Sequence, residues 1–129
     1  MRLDQRALAR LERLARLRSD IEMRRFSAFR TSVEAARGRI SAREEELGAL
    51  FRSDAPFSLA EARLTNAMTI DHLREIRREE EELRRILPRY ETARQAALRA
   101  FGRAEVMGKI RQDLVTDERA RKNDTDSSL

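Results

Sequence analysis

The chain has 129 residues, enough for one domain, yet 40% of them are charged, 5% are aromatic and none is Trp, too little apolar bulk for a globular core. The formal net charge is +5, and the absence of Cys excludes disulfides and thiolate chemistry within these residues, as suits a reducing compartment. No apolar run approaches the ~20 residues that cross a bilayer, and the start Met1-Arg2-Leu3-Asp4-Gln5-Arg6 lacks the apolar stretch of a secretory signal, so the expectation is a cytoplasmic protein.

Helix-period spacing of apolar residues fills nearly all of the remainder, which predicts ordered helix rather than disorder. The first predicted helix covers about residues 3–52. From Phe26 its apolar positions alternate three and four apart, through Phe29, Val33, Ala36, Ile40, Arg43, Leu47 and Leu50, a heptad seam with one charged intruder. Upstream, Leu3, Leu8, Leu11, Leu14, Leu17 and Ile21 keep the period in a shifted frame, which predicts a stutter of the stripe near residues 21–26. Gly38 and Gly48 each weaken the helix by about 1 kcal/mol relative to Ala.

The run Ser53-Asp54-Ala55-Pro56-Phe57-Ser58 predicts a turn over 53–58. Ser58, with Glu61 three residues later, has the spacing of a capping box and starts the second helix, expected over about 59–118. Its seam is predicted at Leu73, Ile76, Glu80, Leu83, Leu87, Tyr90, Arg94, Ala97, Phe101 and Ala104, with a kink near Pro88, whose ring cannot donate to the residue 84 carbonyl. Past Glu118 the sequence is polar and aperiodic, so 119–129 are expected to be a disordered tail. The fold class expected is therefore all-α, a long antiparallel two-helix coiled-coil hairpin spanning residues 1–118.

Folding about the break pairs residues whose numbers sum to roughly 110, so Leu3 would face Met107 and Glu80 would reach Arg30. Residues 108–118 would then overhang by ~15 Å, carrying an apolar stripe of Met107, Ile110 and Leu114. Charge is uneven along the chain. Residues 1–30 hold nine Arg against four acids and 89–122 hold nine Arg or Lys against five, whereas 31–88 hold ten basic against twelve acidic residues. A hairpin brings the two basic segments together at its open end. The run Glu79-Glu80-Glu81-Glu82 before Arg84 and Arg85 supplies ordinary i,i+4 ion pairs of a solvated helix.

Catalysis has little to draw on. His72 is the lone His and is expected exposed or flanking the seam; there is no glycine-rich phosphate loop, and the carboxylates have no pocket to perturb them. The expectation is a protein that is not an enzyme and that needs no cofactor or metal.

The repeated start Leu8-Ala9-Arg10-Leu11-Glu12-Arg13-Leu14-Ala15-Arg16-Leu17-Arg18 and the segment Ala100-Phe101-Gly102-Arg103-Ala104-Glu105, in a chain of this length, resemble the FliJ-type stalk proteins of flagellar export and their counterparts in injectisome type III secretion. The resemblance covers roughly residues 3–118. It implies a non-enzymatic stalk whose basic open end enters a hexameric export ATPase, with Arg6, Arg10, Arg13, Arg103 and Arg111, together with Met107, Ile110 and Leu114, as the contacts. It places Leu47, Leu50, Phe51, Phe57 and Leu59 by position at the loop end, against an export gate protein or export chaperones, and recruits the chain to the inner face of the membrane. Two other readings stay open. A basic scaffold could self-associate as a four-helix bundle, or two Arg-rich segments could track the phosphates of nucleic acid, although no base-reading module accompanies them.

Overall fold

The computed structural model describes residues 4–52 and 58–127. They form two helices, α1 over Gln5–Phe51 and α2 over Leu59–Ser127, which pack against each other, and there is no strand among the described residues. The turn expected over 53–58 falls outside the described residues except for Ser58, as do Leu3 and Phe57. Ser58 Oγ accepts a hydrogen bond of 3.1 Å from the Glu61 amide, so it caps the first turn of α2 as its sequence position implies.

The C-terminal segment differs from expectation. α2 runs on to Ser127 through residues expected to be a disordered tail. No Gly or Pro follows Gly108 to end the helix, and the Thr125 and Ser127 hydroxyls donate to the carbonyls of Arg121 and Asn123 one turn back. Residues 116–127 are exposed throughout, although Glu118 accepts a hydrogen bond from the Gln5 side chain of α1. α2 also continues through Pro88 without a break.

The chain divides into two compact units: unit 1 comprises Met1–Phe26 and Thr92–Leu129, and unit 2 comprises Ser27–Glu91. In unit 2 the less exposed positions of α1 are Phe29, Val33, Ala36, Ile40, Arg43, Leu47 and Leu50, the three-four spacing expected. Those of α2 are Ala62, Thr65, Thr69, His72, Ile76, Glu79, Leu83, Ile86 and Tyr90, with Glu75 and Leu87 beside them. His72 is therefore a seam residue, not an exposed or flanking one. It is 9% exposed, with Nδ1 3.4 Å from Arg43 Nη1 and 3.6 Å from Glu46 Oε2.

Register in unit 2 is displaced from the sum of ~110. Arg39 pairs with Glu79 at 3.0 Å and the Arg89 guanidinium lies 5.4 Å from the Phe29 ring centre, so the pairs sum to 118, and His72 with Arg43 and Glu46 sums to 115 and 118. Glu46 lies five residues from the end of α1, whereas its partner His72 lies thirteen from the start of α2. The first two turns of α2 lie beyond the last turn of α1 in this register, and Leu59 and Leu64 there are 71% and 62% exposed. Arg30 pairs with Glu34 on its own helix and Glu80 is exposed, so the expected Arg30–Glu80 pair is absent and Arg39–Glu79 takes that role.

Candidate functional site

Unit 1 carries sixteen basic and ten acidic residues, a net +6, against twelve and thirteen in unit 2, a net −1. Its seam is what puts those charges, and several large apolar side chains, on the outside. Along α1 the seam occupies Gln5, Leu8, Glu12, Ala15, Ser19, Glu22 and Phe26, the same heptad phase that α1 uses in unit 2. The expected stutter near residues 21–26 does not occur. Leu11, Leu14, Leu17 and Ile21, expected in a shifted seam, are 44–63% exposed.

Along α2 the seam of unit 1 is built from Ala93, Ala97, Ala100 and Ala104, all at most 5% exposed, followed by Met107. The expected seam was one residue out of step at alternate positions. Arg94 and Phe101 were expected where Ala93 and Ala100 lie, as Leu73 and Glu80 were for His72 and Glu79 in unit 2. Phe101 is 54% exposed as a result. On the α2 side the buried residues are all Ala as far as Ala104, and the interaxial distance follows the side chains at the contact. Large side chains one position aside are then left at the surface.

Glu12 marks the register of this unit. It is 8% exposed and held by two guanidiniums, Arg16 one turn on at 3.1 Å and Arg111 of α2 at 2.5 Å. Gly108 makes the room: a Cβ there would lie 3.0 Å from Arg16 Nη2 and 3.1 Å from Glu12 Oε1. A buried carboxylate with both partners in place is tolerated, whereas removal of one partner leaves charge stranded, so the arrangement favours one alignment over its neighbours. Arg16 also lies 3.7 Å from Glu105, and Gln5 bonds Glu118. The pairs 5–118, 12–111 and 16–105 sum to 121–123. Residues 108–118 therefore lie against α1, and the expected overhang of that segment is absent.

All eight residues expected at the ATPase fall in unit 1, in different circumstances. Arg6, Arg10, Arg13 and Arg103 are exposed; Arg111 is engaged by Glu12; Met107 and Leu114 are half-buried; Ile110 is 43% exposed. Leu8, Ile110 and Leu114 line one shallow groove with Asp113, Asp117 and Glu118. Of the residues expected at a gate or chaperone, Leu47 and Leu50 are half-buried in the unit 2 seam and have little surface to offer, because the heptad turns them inward. Phe51 and Leu59 are 68% and 71% exposed. The expectation overlooked Leu64, Met68 and Ile70, all exposed in unit 2, and the exposed Leu98 and Val106 of unit 1.

Among the described residues no cluster of His, Asp or Glu has the geometry to hold a metal ion, and no helix is long and apolar enough to cross a membrane. Comparison of the chain with protein-family models, curated proteins and solved structures finds no match.

Proposed function

We propose that the chain is a non-enzymatic stalk or adaptor of a flagellar or type III protein export apparatus, an antiparallel two-helix coiled coil whose basic part enters a hexameric export ATPase. The observation that carries this reading is the construction of unit 1. The α2 side of its seam is Ala93, Ala97, Ala100 and Ala104, its net charge is +6, and Arg6, Arg10, Arg13 and Arg103 are exposed on it. A shaft that seats in a narrow opening needs a small cross-section and surface charge to steer it, and a basic shaft suits an acidic collar. Arg111 acts from within, fixing the helix alignment through Glu12, and Met107, Ile110 and Leu114 supply apolar contact. Phe51 and Leu59 are the residues of unit 2 left to meet an export gate protein or an export chaperone. The chain works in the cytoplasm at the inner face of the membrane, and it promotes ring assembly or ATP turnover without binding nucleotide.

Affinity purification from the native cell, with nuclease treatment, tests this by comparing the wild type with Arg6→Glu, Arg10→Glu and Arg13→Glu combined. Recovery of a hexameric export ATPase with the wild type and its loss with the variant is the expected result. Equal recovery from both, or no ATPase with either, refutes it. The exposed Leu and Ile side chains of unit 1 favour a second reading, a self-associating scaffold. Mass measured across a range of concentrations separates the two, since the stalk reading requires a monomer.

A further inference from the structure

We propose that one side of unit 1 is a docking groove for an acidic amphipathic helix of a partner protein. The proposal shares Arg103 with the export reading but rests on Arg18, Arg99, Leu14 and Ile21, which that reading does not use.

Arg18 is the centre of this surface. With Arg99 and Arg103 of α2 it lines a shallow cleft floored by Ala96 and Ala100, and the cleft contains a single carboxylate, Glu22. Three guanidiniums against one carboxylate leave an excess of two positive charges. All three arginines are exposed, and none makes an ion pair within the chain among the described residues. Elsewhere the chain pairs such residues readily, as at Arg30–Glu34 and Arg39–Glu79.

Apolar side chains border the same cleft. On a helix, neighbours on one face lie three, four and seven positions apart. Leu14 and Ile21 lie four before and three after Arg18, and Leu11 lies seven before it; they are 63%, 63% and 44% exposed. Val106 lies three after Arg103 on α2 and is 57% exposed, whereas Ile110 belongs to the neighbouring groove with Asp113, Asp117 and Glu118. The surface therefore presents an exposed apolar row on α1 and Val106 on α2 beside the three arginines of the cleft. Such a groove accepts a third helix whose apolar positions recur at i, i+3, i+4 and i+7. Leu11 to Ile21 spans ten residue steps, about 15 Å of helix, so an occupant of roughly 15–20 residues fills it.

Charge decides among occupants. A second copy docked through this face about a two-fold axis would set Arg18, Arg99 and Arg103 against the same three arginines, a juxtaposition of like charge that opposes association. A partner helix with Asp or Glu beside its apolar stripe meets the exposed apolar side chains and the three arginines together. Insertion into an anionic membrane surface fits less well, since the face offers no Trp or Phe to anchor at the interface.

The test uses the full chain and a capped 18-residue helical peptide with Leu at heptad positions a and d and Glu at e and g, followed by fluorescence anisotropy. Saturable binding is expected, with no binding by the same peptide carrying Lys for Glu or Gln for Leu. Leu14→Gln with Ile21→Gln, and separately Arg18→Glu with Arg99→Glu, should each weaken binding about tenfold or more, while Arg84→Glu with Arg85→Glu in unit 2 leaves it unchanged. Circular dichroism serves as the folding control, and the face variants should melt like the wild type because every replaced side chain is exposed. Equal binding of the Gln-seamed peptide, or equal weakening by the unit 2 variant, would reduce the effect to net charge and overturn the proposal. So would failure of the Leu/Glu peptide while a mixed-sequence oligonucleotide or vesicles with 30% anionic lipid bind, or a mass that doubles with concentration and reverts with Leu14→Gln and Ile21→Gln.

Discussion

Gly108 gives the seam of unit 1 its sharpest test. Replacing a helix-interior Gly by Ala stabilises a helix by about 1 kcal/mol when the new methyl group meets nothing. Gly102, in the same helix and the same unit, is such a site, with nothing within 4 Å of the added Cβ. At Gly108 the Cβ would sit 3.0 Å from Arg16 Nη2 and 3.1 Å from Glu12 Oε1. Arg16 is half exposed and can swing outward, giving up its ion pair with Glu12, a partly solvated contact worth about 0.5–1 kcal/mol. Glu12 has less freedom, because Arg111 holds its other oxygen at 2.5 Å. Gly108→Ala should therefore gain about 1 kcal/mol from propensity and lose about as much at Glu12, for a net change near zero. Gly102→Ala should raise the melting temperature by roughly 3–5 °C. Thermal and urea unfolding followed by helical circular dichroism measures both. Truncating Glu12 to Ala should restore the gain at Gly108, a coupling of about 1 kcal/mol in a double-mutant cycle. If Gly108→Ala stabilises as much as Gly102→Ala and the cycle shows no coupling, Glu12 does not occupy the seam and the assigned alignment is wrong.

Burial assigns opposite outcomes to two leucines of one segment. Leu8→Ala, at 2% exposure, should cost about 2–3 kcal/mol, whereas Leu14→Gln, at 63% exposure, should change stability by less than ~0.5 kcal/mol in the same unfolding assay. Ser58→Ala removes the acceptor of the Glu61 amide and should cost about 1 kcal/mol, read as a lower midpoint in urea. Pro88→Ala should stabilise by up to ~3 kcal/mol, because it returns a donor to the interior of α2; an unchanged melting temperature would mean that the helix has fully accommodated the ring.

How far the sequence could be read depends on the residue types at the seam. In unit 2, Val33, Ala36, Ile40, Leu47 and Leu50 are apolar and regularly spaced, so the α1 stripe was legible, Arg43 included. On α2 the positions Ile76, Leu83, Tyr90, Ala97 and Ala104 were also legible, because they recur every seven residues. The intervening positions were not. His72, Glu79, Ala93 and Ala100 each precede a residue that was preferred, Leu73, Glu80, Arg94 and Phe101, and a spacing of three or four tolerates a slip of one. The same preference for bulk moved the α1 stripe onto Leu14, Leu17 and Ile21, when the structure keeps a single phase by burying Glu12 and Ser19. Buried Glu12 could have been suspected only by extending the heptad of residues 26–50 backward without regard to polarity. Register was illegible for a separate reason: it depends on how two seams interlock, and the length of the connection constrains it weakly. Of the site, the arginines were legible from charge counting, but their apolar neighbours were assigned to the interior, so the groove beside Arg18 could not be seen.

The alignment of α1 with α2 in unit 1 underlies both the outward display of the arginines and the groove between them, and a chain without Cys allows it to be measured directly. Ala15 and Ala104 occupy facing seams, and their numbers sum to 119, close to the 121–123 of the observed pairs. Ala15→Cys combined with Ala104→Cys should close an intramolecular disulfide under mild oxidation, since seam residues in one layer approach within the ~4.4–6.8 Å Cα separation that a disulfide requires. Ala15→Cys with Gln95→Cys, which obeys the sum of ~110 instead, should remain reduced. A disulfide at 15–95 and none at 15–104 would contradict the account.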